Sequence, residues 1–248
     1  MSQIESSLVH KETKELIESV KENKNPEDAP HVKRYMKTDF ECLGVRKPLL
    51  HSLAKEFYDA HKKDGNLVGV HKVVEELWSV PIYDVKTLAI SILRRFDKMV
   101  DRSTLDVVEV WYDDIDNWSH CDGLSVYVLG SIVLRDDSVI SGIMSWTKSD
   151  NPWRRRGALL STMLGNRKGK GDPFWTFTML NDVLEDEEYY VRKTFSWVLR
   201  EMGKGYPDFV FEYLMYNKSR FSNTDVKESV KYLPEENAKT VLETDFTS

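Results

Sequence analysis

Long apolar runs are missing from this 248-residue chain, and no stretch of about 18 apolar residues occurs, so no membrane-spanning helix is expected. The start, Met-Ser-Gln-Ile-Glu-Ser-Ser, lacks a charged segment followed by an apolar one, so a cytoplasmic protein is expected. Cysteine is nearly absent. Cys42 and Cys121 are the only two, which suits a reducing compartment and argues against a disulfide framework. Histidines 10, 31, 51, 61, 71 and 120 are scattered, with no His-x-Glu or Cys-x-x-Cys partner, so neither metal nor any other cofactor is expected. Cys121 has no evident base and reads as a packed thiol. Eight prolines and twelve glycines interrupt the chain only lightly, and apolar residues recur mostly at helical spacing.

An excess of basic charge is missing too. The net charge is −6, which lowers the expectation of a nucleic-acid partner without excluding it, because charge can be segregated by face. Acids concentrate in 185–188, at Asp113, Asp114 and Asp116, and in the tail. Cations cluster at Lys33, Arg34 and Lys37, at Arg46 and Lys47, at 154–156, at Arg167, Lys168 and Lys170, and at Arg192 and Lys193.

Four segments resemble one another, namely 83–93, 121–130, 153–160 and 190–199, and their starts lie 32 to 38 residues apart. That is the spacing of stacked helix pairs. Asp116-Asn117 and Asp150-Asn151-Pro152 supply helix-start signals. The tail beyond Phe221 reads as one capping helix and a frayed end.

With the stretch 192–200 placed on one helix, Lys193, Trp197, Arg200 and Lys204 share a face, while Val191, Phe195, Val198, Leu199 and Met202 spread over the other side. Cations flanking an indole suit a phosphodeoxyribose backbone; a core tryptophan beside a solvated basic face is the alternative. Trp118 and Asp122, at i and i+4, also share one helix face; a helix-start aspartate with a core tryptophan is the alternative there. His120 is expected to point away from that face, behind it or at the surface. The loop 165–171 lacks a preceding strand and a Gly-Lys-Ser/Thr ending, so it reads as a flexible basic loop, touching DNA backbone or merely solvated.

Tyr35-Met36-Lys37 with Phe40, then Leu43-Gly44-Val45-Arg46 and Pro48, then Asn117-Trp118 with Asp122, then Trp153-Arg154-Arg155-Arg156, then Trp197-Val198-Leu199-Arg200-Glu201 occur in that order. Together they make the chain, from about Asn25 to Phe221, similar to the AlkD-type DNA alkylation-repair glycosylases. The resemblance implies an all-α superhelix of HEAT-like repeats with a concave DNA-binding face. It implies a single domain over 1–248, with frayed ends at about 1–8 and 240–248, acting as a monomer without a membrane. The implied partner is duplex DNA containing alkylated purines, and the implied activity is excision of N3- or N7-alkylated purines without a deep base-flipping pocket.

Carried over residue by residue, Asp122 matches the catalytic aspartate, Trp118 and Trp197 the two active-site tryptophans, and Arg156 the active-site arginine. Tyr35, Lys37, Arg46, Lys47, Arg154, Arg155, Lys193, Arg200 and Lys204 make up the expected DNA-contacting set, with Arg154 and Arg155 touching backbone only. Trp118, Asp122, Arg156 and Trp197 are expected to converge on the concave face, with 185–188 on a turn or the outer side.

The chemistry agrees independently. A purine alkylated at N7 or N3 is cationic and departs as a neutral base, so no general acid is needed. What remains is to oppose positive charge growing on the sugar, which one carboxylate and indole faces can do. Two other classes stay open: a non-catalytic paralogue that recognises branched or distorted DNA, and a helical-repeat scaffold that binds protein.

Overall fold

The computed structural model describes residues 3–63, 65 and 67–244. The fold is all-α. Among the described residues the only strand-like pairing is one isolated parallel bridge, Glu41 to Ile82. Prolines mark where helices begin: Pro30, Pro48, Pro152, Pro173 and Pro207 each occupy the first or second helical position, where no N–H is lost from the helical ladder. The chain forms two compact units, Met1–Leu124 and Ser125–Ser248.

The first unit holds α1 (Gln3–Glu22), α2 (Ala29–Met36), α3 (Lys47–His61), α4 (Leu67–Ser79), α5 (Tyr83–Arg95), α6 (Arg102–Glu109) and α7 (Trp118–Asp122). Helix α5 lies at its centre and packs against α3 and α4, while α4 packs against α1. The pattern Val85, Leu88, Ala89, Ile92 explains that position: i, i+3, i+4 and i+7 put four side chains on one stripe, and all four are fully buried. Burying each of the larger ones contributes about 1.5–3 kcal/mol. Trp78 and Trp111 stack nearly parallel at 4.5 Å and extend this core.

The motif Leu43-Gly44-Val45-Arg46 has a structural cause. Asp84, buried on α5, accepts the Leu43 N–H at 2.7 Å and the Val45 N–H at 2.9 Å. Gly44 between them takes φ +72°, and a Cβ there would lie 2.4 Å from the Asn25 carbonyl oxygen and 2.6 Å from the Ala29 nitrogen. Glycine is the residue that fits, in conformation and in space. The clamp fixes the segment that delivers Arg46 to the start of α3.

The second unit holds α8 (Gly130–Arg135), α9 (Ile140–Ser145), α10 (Pro152–Ser161), α11 (Met163–Asn166), α12 (Pro173–Val183), α13 (Tyr189–Met202), α14 (Pro207–Asn217), α15 (Asn223–Ser229) and α16 (Glu235–Glu243). Helix α13 packs against both α10 and α15, α10 packs against α12, and α14 packs against α16. Neighbour-to-neighbour burial of this kind is how helical repeats share a core. All four repeat-like segments are helical. Residues 83–93 lie in α5, 153–160 in α10 and 190–199 in α13, while 121–130 run from α7 through a π-helical segment, Gly123–Leu129, into α8.

The tail differs from expectation. Beyond Phe221 there are two helices, α15 and α16, because Ser222 caps the first by accepting the Asp225 N–H at 3.1 Å. Residues 3–8 and 240–243, expected to be frayed, are helical; residues 1–2 and 245–248 of those ends lie outside the described residues.

Gly44→Ala is expected to lower the stability of the chain by about 2–4 kcal/mol, combining a strained left-handed φ with backbone overlap. Urea unfolding of the two proteins measures it, and a loss below about 0.5 kcal/mol would show that the loop can relax away from Asn25.

Candidate active site

Helix α7 has five residues, too few to persist by helix propensity alone. Neighbouring side chains hold it. Asn117 takes an extended conformation, and its Oδ1 accepts the His120 N–H at 3.0 Å, which is the N-cap signalled by Asp116-Asn117. The Asn117 amide nitrogen donates to Asp116 at 2.9 Å and faces His120 Nδ1 at 3.0 Å. Asp116 in turn accepts the Thr38 hydroxyl at 2.7 and 2.8 Å and the Asp39 N–H at 2.7 Å. One carboxylate thus ties the chain just after α2 to the residue that starts α7.

His120 completes the network, and the surface position considered for it is corrected: it is buried. Its Nδ1 faces the Asn117 amide N–H and accepts, so the proton sits on Nε2. That proton is shared with the Tyr83 carbonyl at 3.2 Å and the Thr87 hydroxyl at 3.0 Å. The imidazole also stacks on Tyr83 at 4.6 Å and meets Trp78 edge-on. Burial pushes its pKa down to about 3, only partly opposed by the Tyr83 carbonyl. Beside it Lys86, also buried, lies 4.2 Å from the Trp78 ring centre and 4.7 Å from that of Phe40, with its ammonium donating to the Trp78 carbonyl. Burial lowers the Lys86 pKa, while Asp114 and Asp116 hold the charge in place. Nothing in the motif order marked Thr38, Tyr83 or Lys86. Asn117 three residues before His120 was the legible signal.

With α7 so held, Trp118 and Asp122 are both half-buried, one turn apart on one face. Tyr35, 69% exposed, sets its ring perpendicular to Trp118 at 5.6 Å. Lys37, which ends α2 at φ +54°, and Arg46 and Lys47 at the start of α3 are exposed; Arg46 lies 3.9 Å from Asp28. The π-helical segment begins directly after Asp122, a departure in register that often accompanies functional positions. Cys121 is fully buried, in agreement with a packed thiol.

In the second unit, α10 starts as expected: Asn151 accepts the Trp153 N–H at 2.9 Å and Pro152 occupies the first helical turn. Its three arginines go to different surroundings. The Arg154 guanidinium lies 5.3 Å from the Trp146 ring centre. Arg155 is committed to Asp186 through two bonds, 2.6 and 3.2 Å, and to the carbonyls of Ser149 and Asp150. It therefore braces the turn before α13. Arg156 is buried, donates to the Tyr190 carbonyl and to the Thr194 hydroxyl at 2.7 Å, and brings its guanidinium 5.9 Å from the Trp197 ring centre. Arg156 and half-buried Trp197 are thus brought together, as α10 packs on α13.

The expected basic stripe on α13 divides. Lys193 is exposed, 5.8 Å from the Tyr189 ring centre. Arg200 instead bonds Glu228 and Glu201, and Lys204 bonds Glu201 at 2.7 Å above the Tyr232 ring. Glu201 also accepts from Arg167 at 2.7 Å. Burial would raise the Glu201 carboxyl, but the bonds from Lys204 and Arg167 outweigh it and hold the pKa below its ordinary value. Arg200 and Lys204 are therefore members of an ion network gathered on Glu201, with Lys204 still exposed.

Residues 185–188 do lie on the turn between α12 and α13, with Asp186 buried against Arg155. The loop 165–171 takes a specific backbone path. Gly169 and Gly171 take φ +61° and +86°, a Cβ on Gly205 would fall 2.1 Å from the Asn166 oxygen, and the Tyr206 hydroxyl donates to the Gly171 carbonyl.

The neutral His120 makes a pH prediction. Its folded pKa, about 3, lies below the ordinary 6.5, so between those values the unfolded chain binds a proton that the folded chain does not. Stability therefore rises with pH through this window and is lost as pH falls below about 6.5, by up to about 1.4 kcal/mol per unit. His71, whose pKa burial also lowers, adds to the same trend. His120→Gln is expected to be less stable at pH 7 but to lose stability less steeply between pH 6 and 4 in urea titrations. An unchanged slope would mean that the imidazole is charged in the fold.

A family model described as DNA alkylation repair enzyme matches residues 16–233. Among solved structures, one described as "Predicted DNA alkylation repair enzyme from Enterococcus faecalis" is 21% identical, with a TM-score of 0.72 over 86% of this chain and 98% of that one. AlkD2 from Streptococcus mutans is 21% identical, with a TM-score of 0.55 over 82% and 98%. At these identities the two structures carry the all-α fold. Comparison with curated proteins returns no match.

Proposed function

The chain belongs to the DNA alkylation repair enzyme family, and from that premise we propose that it is a monofunctional glycosylase, releasing N3- or N7-alkylated purines from duplex DNA by hydrolysis of the N-glycosidic bond. Membership supports a role in repair of alkylation damage, with DNA as partner. The observation that carries the finer reading is Asp122 beside Trp118 on α7, a one-turn helix that a whole side-chain network holds in place.

A cationic purine is already a good leaving group. As its bond to C1′ lengthens, the base becomes neutral and positive charge moves to the deoxyribose. In this reading the Asp122 carboxylate opposes that charge and orients or deprotonates the attacking water, whose oxygen bonds C1′. The Trp118 face attracts the cationic sugar and lesion, and Trp197 in the second unit presents another indole face of the same kind. Tyr35, edge-on to Trp118, restricts the indole. Arg156, anchored to Thr194, gives Trp197 a fixed cationic neighbour. Lys37, Arg46, Lys47, Arg154 and Lys193 contact backbone, and the protein acts as a monomer without a cofactor.

The internal pairing of Arg155, Arg200 and Lys204 favours a second reading, a repeat protein that recognises DNA or protein without chemistry. Incubating the purified chain with DNA containing 7-methylguanine separates the two. Release of the methylated base supports the enzyme; binding without release supports the second reading.

Asp122→Asn is expected to lower base release roughly a hundred- to a thousand-fold, the usual effect of removing one such electrostatic group. DNA affinity should stay within a few-fold, and near-normal excision would remove Asp122 from the chemistry. Salt dependence tests the interface separately. Lys193→Ala should reduce the slope of log affinity against log salt by about one. Arg200→Ala and Lys204→Ala should change it much less, since acids already neutralise both. Equal changes for all three would mean that the ion network opens on DNA.

A further inference from the structure

The proposed chemistry leaves α12 and α14 unused. Both are rich in apolar and aromatic residues, reading Pro-Phe-Trp-Thr-Phe-Thr-Met-Leu-Asn-Asp-Val and Pro-Asp-Phe-Val-Phe-Glu-Tyr-Leu-Met-Tyr-Asn. Helices of that composition ordinarily lie inside a core. Here one side of each is covered and the other is not. Val210 and Leu214 are fully buried, whereas Phe174 is 59% exposed, Phe209 39% and Tyr216 89%. The two helices join through their rings: Phe177 stacks on Tyr213 at 4.7 Å, and Phe174 meets Phe209 edge-on at 5.7 Å. The Tyr213 hydroxyl donates to Asn181 across the same seam at 2.9 Å.

The charge carried by the two helices themselves has one sign. Neither helix contains Lys or Arg. Asp182 is paired with Lys148, but Asp208 and Glu212 are exposed and take no ion-pair partner among the described residues. They stand one turn apart on α14, on one side of Phe209. Such a face repels phosphate and anionic lipid. It also repels its own image in a second copy of this chain. Exposed aromatic rings and uncompensated carboxylates both attract cations, while the adjoining apolar area favours an apolar partner.

We propose that the α12–α14 face docks an amphipathic helix of another protein, one that sets Lys or Arg beside a row of leucine-sized side chains. The assignment is independent of the glycosylase reading.

The test uses a defined probe, the peptide (Leu-Lys-Lys-Leu-Leu-Lys-Leu)₂, titrated calorimetrically at low salt into the full chain and into two double variants, Phe174→Ser/Phe209→Ser and Asp208→Asn/Glu212→Gln. Saturable binding is expected, at least about tenfold weaker in either variant and lost when Glu replaces Lys in the peptide. All four positions are exposed, so folded variants are expected, with matched thermal melting as the check, and base release should be unchanged in both. Equal binding to wild type and variants would overturn the proposal. So would concentration-dependent dimerisation of the wild type that Phe174→Ser/Phe209→Ser abolishes, because the face would then belong to a second copy.

Discussion

A helix of five residues cannot hold itself, and the candidate chemistry of the first unit rides on one. Isolated helices need about 12–15 residues before propagation offsets the cost of nucleation, so α7 exists because groups outside it satisfy its ends. Asp116 gathers the Thr38 hydroxyl, the Asp39 N–H and the Asn117 amide, and Asn117 passes the constraint to His120. The imidazole must be neutral for this to work, since its Nδ1 has to accept. Burial secures that. A protonated His120 would confront the Asn117 amide with a second donor and loosen the turn that carries Trp118 and Asp122.

The same economy governs the cations. A chain of net charge −6 still carries 35 Lys and Arg residues, and the fold commits several of them to internal partners. Arg155 braces the turn before α13, Arg200 and Lys204 converge on Glu201, and Lys86 sits between two aromatic rings. An arginine read in sequence next to two others carries no mark of which one faces solvent. On α10 the three successive guanidiniums, about 100° apart around the helix axis, meet Trp146, Asp186 and Thr194 in turn.

The two aromatic sets of the second unit illustrate the difference between a ring that is placed and one that is merely exposed. Trp197 stands half-buried beside a buried arginine that is itself bonded to α13. Phe174 and Phe209 touch each other but leave their outer faces open, next to carboxylates with no ion-pair partner among the described residues. The first arrangement is rigid and the second is complementary to something not in this chain.

Sequence alone determined the helical class, because apolar residues at 3.6-residue spacing bury one stripe whatever the remainder of the chain does. It determined the starts of α7 and α10, where Asn117 and Asn151 provide local capping, and the pairing of Trp118 with Asp122 one turn apart, because helix geometry fixes i and i+4. Gly44 in its motif was legible as a pattern but not as a cause; only Asp84, forty residues on, explains it. The tertiary structure decided the rest. It set the protonation of His120, because burial depends on Tyr83, Trp78 and Phe40 arriving from other elements. It tied Arg155 and Arg200 to acids 31 and 28 residues away in the chain. Ion pairs between separate helices depend on packing register, and no local pattern encodes which carboxylate a given guanidinium will meet.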